Sequence, residues 1–174
     1  MERCMIRFGG CWQTIDGKGS FTMRRKGKAV SDASGINAII EKATVCRLGM
    51  VDGERPYVVP LSFGYRENTL YFHGALKGRK IDILKENPNV CVEFDVAVEA
   101  QKDVDACNWS MKFQSVIGFG KASIVEGLEL KRQALGIIMA QYSDKTFAFP
   151  ENKVKATAVI KVEIEKMTGK QSGY

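Results

Sequence analysis

Residues 47–65 read Arg47-Leu-Gly-Met-Val-Asp-Gly-Glu-Arg-Pro-Tyr-Val-Val-Pro-Leu-Ser-Phe-Gly-Tyr65. Two apolar, β-branched runs lie on either side of Asp52-Gly53, a dipeptide typical of tight hairpin turns. A third run, Thr69 to His73, follows Glu67-Asn68. The spacing predicts an antiparallel meander with strands over 45–51, 57–64 and 69–73.

Helical and strand-like patterns surround this meander. Apolar spacing predicts helices over 33–43, 78–86 and 127–141, the first capped by Ser31 or Asp32 and the second ended by Asn87-Pro88. Further strands are expected over 90–94, 113–124 and 156–164, with an irregular polar segment over 96–109. Six strands with few helices indicate a mainly β fold, a barrel with flanking helices, rather than alternating βαβ units.

The chain has the size and composition of one globular domain. It contains 174 residues, of which 45% are hydrophobic and 26% are charged, and both values are near globular averages. Residues 1–22 are glycine-rich without periodicity, so we expect a flexible N-terminal extension followed by one domain over 23–174. No apolar run reaches the roughly 20 residues that span a bilayer, and no signal-peptide pattern is present. We therefore expect a cytoplasmic protein with no membrane partner.

The cysteine and histidine content does not favour a metal site. The five cysteines form no CxxC pair, and the chain has one histidine, His73. Cys46 and Cys91 fall within apolar runs, which predicts buried free thiols. We expect no bound metal.

The formal net charge is +6, which favours an anionic partner such as a nucleic acid, a membrane surface or a phosphorylated small molecule. The basic cluster Arg24, Arg25, Lys26 and Lys28 has no interleaved aromatic residues. Faces that bind nucleic acid usually combine the two. We therefore interpret this cluster as a solvated arm and expect no nucleic-acid partner.

The segment Lys77-Gly78-Arg79-Lys80 places three cations in the first turn of a predicted helix. The helix dipole is positive at this end, so each cation is unfavourable by about 0.3–1 kcal/mol unless an anion offsets it. Free backbone N–H groups, a glycine that permits close approach and an arginine together suit a phosphate. The alternative is a basic turn screened by water and salt.

These motifs occur together with Leu70-Tyr-Phe-His-Gly-Ala75, Asn87-Pro88, Ser115-Val-Ile-Gly-Phe-Gly120 and Met167-Thr-Gly-Lys170. In order and spacing the set resembles the nitroimidazole-resistance branch of the FMN-binding split barrels, which is related to pyridoxamine 5'-phosphate oxidase. The resemblance runs from about Met23 to the end and is poor over 96–109. It implies a six-stranded antiparallel split barrel that forms a homodimer with FMN at the interface.

The resemblance also implies a set of cofactor-binding residues. Arg79 and Lys80 would hold the phosphate, the strand over 58–63 would run beside the isoalloxazine ring, and Thr168 to Lys170 would come from the partner subunit. The complete set is Val58, Val59, Pro60, Leu61, Ser62, Phe63, Phe72, His73, Lys77, Gly78, Arg79, Lys80, Gln114, Ser115 and Lys170.

His73 is the candidate catalytic residue, because an unperturbed pKa near 6.5 suits proton delivery. Its alternative role is structural, as a packed or partly solvated residue at a strand end. Tyr65 and Tyr71 are weaker candidates, with barrel packing as the alternative.

Two functions remain open. The first is an FMN-dependent oxidoreductase, nitroreductase-like, that moves electrons from a nicotinamide donor to a small acceptor. No GxGxxG motif is present, so NAD(P)H would bind only transiently over the flavin. The second is a flavin carrier or sensor without turnover. Pyridoxamine phosphate oxidation is disfavoured, because a second basic cluster and a C-terminal tryptophan are missing.

Overall fold

The computed structural model describes residues 5–8, 11–14 and 26–174. The strands are β1 Met5–Phe8, β2 Cys11–Thr14, β3 Ala29–Val30, β4 Cys46–Asp52, β5 Arg55–Leu61, β6 Gly64–Arg66, β7 Thr69–Ala75, β8 Asn89–Gln101, β9 Ser110–Ile124 and β10 Thr157–Ser172. The helices are α1 Ala33–Lys42, α2 Arg79–Glu86, α3 Leu128–Ala140 and α4 Glu151–Lys155. Single 3-10 turns occur at Lys26–Lys28 and Ala106–Asn108.

One antiparallel sheet dominates the molecule, with strand order β5-β4-β8-β9-β10-β7-β6 and with β3 paired to β10. Its six long strands are those predicted from the sequence, and β3 and β6 are short additions. The two edge strands, β5 and β6, are joined directly through Ser62 and Phe63, so the sheet curls until its edges approach each other. The predicted fold class, a mainly β split barrel with flanking helices, is confirmed.

Alternating side chains of the curled sheet fill the core. The fully buried residues include Phe63, Phe72 and Phe94, one from each of three separate segments. The apolar sides of α1 and α2 pack into the same cluster through Ile36, Ile39, Ile40, Ile81, Ile83 and Leu84. Helix α1 begins as predicted at Asp32, whose carboxylate accepts a hydrogen bond from the Gly35 N–H at 2.7 Å.

Several predicted boundaries were wrong. The strand expected over 57–64 ends at Leu61, because the N–H of Phe63 donates to the Tyr142 hydroxyl instead of a neighbouring strand. The irregular segment expected over 96–109 is strand as far as Gln101, since Glu99 to Gln101 pair with β9. Strand β10 continues to Ser172 rather than ending near 164. In each case pairing or contact with a distant segment overrides the local pattern.

Most of the predictions for the N-terminal region concern residues outside the described ranges. Those for residues 1–22 and for Arg24 and Arg25 lie outside the described residues, apart from the antiparallel pair formed by β1 and β2. Lys28 does not extend into solvent as a free arm, because its ammonium donates to the Ser172 hydroxyl at 2.6 Å.

Three further observations concern the cysteines, the helices and possible metal ligands. Cys46 is a fully buried free thiol, as predicted, whereas Cys91 is only half-buried. Within the described ranges, no helix is both long and apolar enough to cross a membrane. The described residues also contain no group of three or more histidine, cysteine or acidic side chains placed to hold a metal ion.

Candidate functional site

A gap between two strand edges, which we call the split, dominates the predicted cofactor region. Among the described residues β5 pairs only with β4, and β6 covers β7 only over residues 69–71. The second half of β7, residues 72–75, is therefore unpaired on the side opposite β10. The edges meet at Ser62 and Phe63, and α2 bridges them at the other end, where Arg79 contacts β4 and β5.

The N-terminus of α2 opens beside this split. Gly78 precedes the helix with φ 137° and ψ 163°, a conformation that is essentially restricted to glycine. A Cβ at this position would meet no atom within 4 Å, so backbone geometry rather than crowding requires glycine. No side chain caps the helix. Within the described region the N–H groups of Arg79 and Lys80 accordingly have no acceptor and can bind an anion.

Lys80 is the cation closest to the inside of the split. Its ammonium lies 3.2 Å from the point where a Cβ at Gly74 would stand, so a side chain there would crowd it. The side chain is half-buried, and none of the described carboxylates pairs with it. Burial lowers the pKa of Lys80. A half-buried charge without a counter-ion is unfavourable, and a phosphate would relieve that penalty.

Arg79 is exposed and already engaged. Its Nη2 lies 2.9 Å from Asp52 Oδ2, its Nε donates to the same oxygen at 3.0 Å, and its guanidinium lies 4.6 Å from the centre of the Tyr57 ring. A phosphate bound at α2 must therefore share Arg79 with Asp52 or displace the carboxylate. Lys77 is fully at the surface. The sequence pattern identifies Asp52 only as a hairpin residue and Tyr57 only as a strand residue, so it does not predict their contacts with Arg79.

His73 and Lys80 lie on opposite faces of β7. Gly74, which contacts Lys80, pairs with the core residue Ala158, whereas His73 pairs with Val159 on the other face. Partial burial of the imidazole and, secondarily, the charge of Lys80 lower the pKa of His73, although the side chain keeps solvent access. Its catalytic role stays a prediction.

The predicted ring-binding segment divides into three groups. Val58 and Pro60 point to the outer face of the sheet, while Val59 and Leu61 pack against the core. Ser62 is exposed at the junction of the edges.

The side chains of two predicted residues are not available to a ligand. The rings of Phe63 and Phe72 are fully buried in the core, because both positions face the barrel interior. The Phe63 N–H is also occupied, by the Tyr142 hydroxyl. Only backbone atoms at these two positions could contact a cofactor.

The remaining predicted residues lie far along the sheet. Ala75, near α2, pairs with Thr157 at the start of β10, whereas Lys170 pairs with Ser115 thirteen residues farther along that strand. At roughly 3.3 Å per residue this is about 40 Å of strand. Gln114 lies beside Gln171, with their side-chain amides 3.4 Å apart. Within one chain, Gln114, Ser115 and Lys170 are therefore separated from the start of α2 by most of the length of β10.

The outer face of β4, β5, β8 and β9 carries an exposed apolar surface. A groove of about 650 Å³ is lined there by residues that include Gly49, Val58, Cys91 and Phe119. Val58 is 58% exposed and Ile117 42%. We call this surface the outer apolar face. At its margin Arg47 forms ion pairs with Glu93, at 2.9 Å, and with Asp95.

Comparison with known families and structures agrees with this geometry. The family model described as pyridoxamine 5'-phosphate oxidase matches residues 32–171. No protein of curated function matches the chain.

Among solved structures, a candidate 5-nitroimidazole antibiotic resistance protein from Bacteroides thetaiotaomicron is 38% identical, with 82% of this chain and 85% of that chain covered and a TM-score of 0.74. A flavocytochrome from Azotobacter vinelandii is 21% identical, with 88% and 73% covered and a TM-score of 0.77. A FAD- and heme-binding protein from Mycobacterium smegmatis is 16% identical, with 84% and 74% covered and a TM-score of 0.77. The last two similarities show the fold alone.

Proposed function

The chain belongs to the pyridoxamine 5'-phosphate oxidase family, and from this membership and the geometry of the split we propose that it binds FMN and acts as an oxidoreductase. The observation that carries the proposal is Lys80, a half-buried ammonium without a described counter-ion beside the free N-terminus of α2. A phosphate monoester provides the charge that this position lacks. Several solved structures of the same fold are of flavin-binding proteins.

The residues present fit FMN in two respects. Lys80, Arg79 and the N–H groups at the start of α2 offer a phosphate charge and hydrogen-bond donors together. The free edge of β5 offers backbone groups to a planar polar ring, next to apolar side chains such as Val59. When bound, FMN would accept a hydride from a nicotinamide donor and pass the electrons to a small acceptor.

We further propose a homodimer with the cofactor at its interface. Gln114, Ser115 and Lys170 are too far along the sheet to reach α2 of their own chain, so a second copy is needed to bring them to the cofactor. The outer apolar face is the surface that suits such contact, since exposed apolar patches of this kind mark interaction sites. Val58→Asp should therefore give monomers in analytical ultracentrifugation, while Thr146→Asp, which makes the same charge change at an exposed position outside the sheet, serves as the control.

The relative from Bacteroides thetaiotaomicron supports a nitro-aromatic acceptor, because that protein is named for resistance to 5-nitroimidazole antibiotics. The second candidate function, a flavin carrier or sensor, is favoured by one observation. His73, the only histidine of the chain, lies on the face of β7 away from Lys80, so no described imidazole faces the phosphate side of the split.

The test of binding is an absorbance titration of the purified protein with FMN. The double variant Arg79→Ala/Lys80→Ala should lose most of the affinity while its melting temperature and far-ultraviolet circular dichroism stay near wild type. Unchanged affinity in the folded double variant would remove the phosphate site from the proposal. Lys145→Ala/Lys153→Ala, which removes two exposed cations away from α2 and from the sheet, is the matched control.

Turnover is tested separately, under anaerobic conditions. Bleaching of the flavin band by NADH or NADPH, and its return with a nitro-aromatic compound, would support the enzyme. A flavin band that does not respond to either nicotinamide would favour the carrier.

A further inference from the structure

The junction between β5 and β6, at Ser62 and Phe63, is held by Tyr142, a residue outside the predicted site. Phe63 donates its backbone N–H to the Tyr142 hydroxyl at 2.8 Å, and that hydroxyl donates in turn to the Thr44 carbonyl at 3.0 Å. The Phe63 ring packs edge-on against Phe94, with centroids 5.0 Å apart, and against Tyr142, with centroids 6.5 Å apart. The turn that follows α3 thus holds the junction between β5 and β6.

The adjacent residue makes a separate connection. The side-chain amide of Gln141 lies 3.1–3.2 Å from the carbonyl oxygens of Ile40, Glu41 and Ala43, at the C-terminus of α1. These bonds tie α3 to α1 and do not include Phe63. Gln141 therefore provides a natural comparison for Tyr142, with a similar place in the sequence and a different target.

The position of β5 depends strongly on this junction. One side of the strand is bonded to β4, and the other side has no partner strand in the described part of the chain. Its end at Leu61 is followed after one residue by Phe63, whose ring is fully buried and whose N–H is held by Tyr142. A shift at Phe63 would change the separation between β5 and residues 72–75, and so the width of the split.

We propose that Tyr142 is a positioning residue that sets the width of the split through the Phe63 N–H, and thereby the affinity for the flavin ring. The proposal rests on the proposed function, because it requires the flavin to occupy the split. Tyr142 contacts neither α2 nor Lys80 by any described hydrogen bond, so its effect passes through the backbone of 62–63.

Tyr142→Phe removes the hydroxyl and keeps the ring against Phe63. The Phe63 N–H then lacks an acceptor, and an unsatisfied buried group of this kind is unfavourable by about 1–3 kcal/mol, equivalent to roughly 5- to 150-fold. We expect amide hydrogen exchange at Phe63 to become at least about fivefold faster. We also expect at least about fivefold weaker FMN binding and an altered visible circular dichroism of the bound flavin.

Gln141→Leu is the control. It should lower the melting temperature through the lost bonds to α1, but leave the exchange rate of Phe63, the FMN affinity and the flavin spectrum near wild type. If Tyr142→Phe matches Gln141→Leu in all three readouts, the positioning role is refuted while flavin binding stands. If the wild-type protein binds no FMN, the proposed function itself fails and the positioning role fails with it.

Discussion

Replacing Lys80 with methionine should stabilise the ligand-free protein and weaken its binding of FMN. The ammonium is half-buried against Gly74 and has no carboxylate partner among the described residues, so the folded state carries an unfavourable charge there. Methionine retains most of the aliphatic length without the charge. The site is therefore expected to trade stability for binding, as functional sites commonly do.

The expected changes in stability and in FMN affinity follow from the partial burial of Lys80. Because solvent screens part of the charge, we expect a gain of about 0.5–1 kcal/mol in the free energy of unfolding, or roughly 1–4 °C in melting temperature for a domain of this size. Loss of one charge-assisted hydrogen bond to the phosphate, worth about 1.5–3 kcal/mol, should weaken FMN binding roughly 10- to 150-fold.

The direction in which the free energy of unfolding changes with pH follows from the pKa of Lys80. Burial lowers the pKa of Lys80 in the folded protein, so the unfolded chain binds more protons at pH values between the lowered and the ordinary pKa. The free energy of unfolding of the wild type should therefore rise with pH through that window. Lys80→Met should remove this rise, and below the window its stabilising effect should be fully present.

Differential scanning fluorimetry without ligand, across alkaline pH, and an FMN titration near neutrality measure these effects. Lys77→Met removes an exposed cation from the same turn and should change the melting temperature by less than about 1 °C, since exposed charges contribute little. A lower melting temperature for Lys80→Met together with unchanged FMN affinity would refute the reasoning.

Three further predictions concern neighbouring features. Gly78→Ala should lower the free energy of unfolding by about 1–3 kcal/mol in chemical denaturation, because its φ of 137° strains any other residue; no change would show that the turn relaxes. Asp52→Asn should tighten FMN binding by up to about fivefold in titration, since it frees Arg79 from an ion pair worth up to about 1 kcal/mol; weaker binding would contradict the competition. Burial raises the pKa of the Cys46 thiol, so mass spectrometry after mild alkylation should find Cys107 modified and Cys46 modified only in denaturant, and native labelling of Cys46 would be inconsistent with the fold.

The parts of the fold that the sequence predicted are governed by local chemistry. Gly53 has a positive φ of 62°, and Glu67 and Asn68 have φ of 51° and 59°, which are the conformations that tight hairpin turns require. The helix over 78–86 is likewise predicted from the spacing of Ile81, Ile83 and Leu84, and α2 begins at Arg79. Each of these features is encoded within a few consecutive residues, so a pattern along the chain is enough to find it.

The features that were missed depend on pairing between distant residues. Glu99 is in a strand because it pairs with Lys112, and nothing in the polar sequence around it indicates that register. Arg79 is engaged by Asp52 and Tyr57, which lie more than twenty residues earlier in the chain. Tyr142 acts on Phe63 from an even greater separation in sequence. These contacts form only when the sheet curls, so the local sequence around each residue does not predict them.

The chemistry of the β5 edge explains why the split suits a small ligand better than another strand. Pro56 and Pro60 lie across from β4 residues in the ladder but have no N–H to donate, so their nitrogens are tolerated only where they face the unpaired edge. The backbone groups of residues 56, 58 and 60 face this edge. Of these three residues only Val58 has an N–H to donate, whereas all three have a carbonyl oxygen that can accept a hydrogen bond. An incoming strand needs a regular series of donors and is disfavoured. A planar heterocycle needs only one or two polar contacts, such as the Val58 N–H, and an apolar surface, which core-facing neighbours such as Val59 provide. The prolines therefore protect the exposed edge from strand addition, and this edge suits the planar ring of the proposed cofactor.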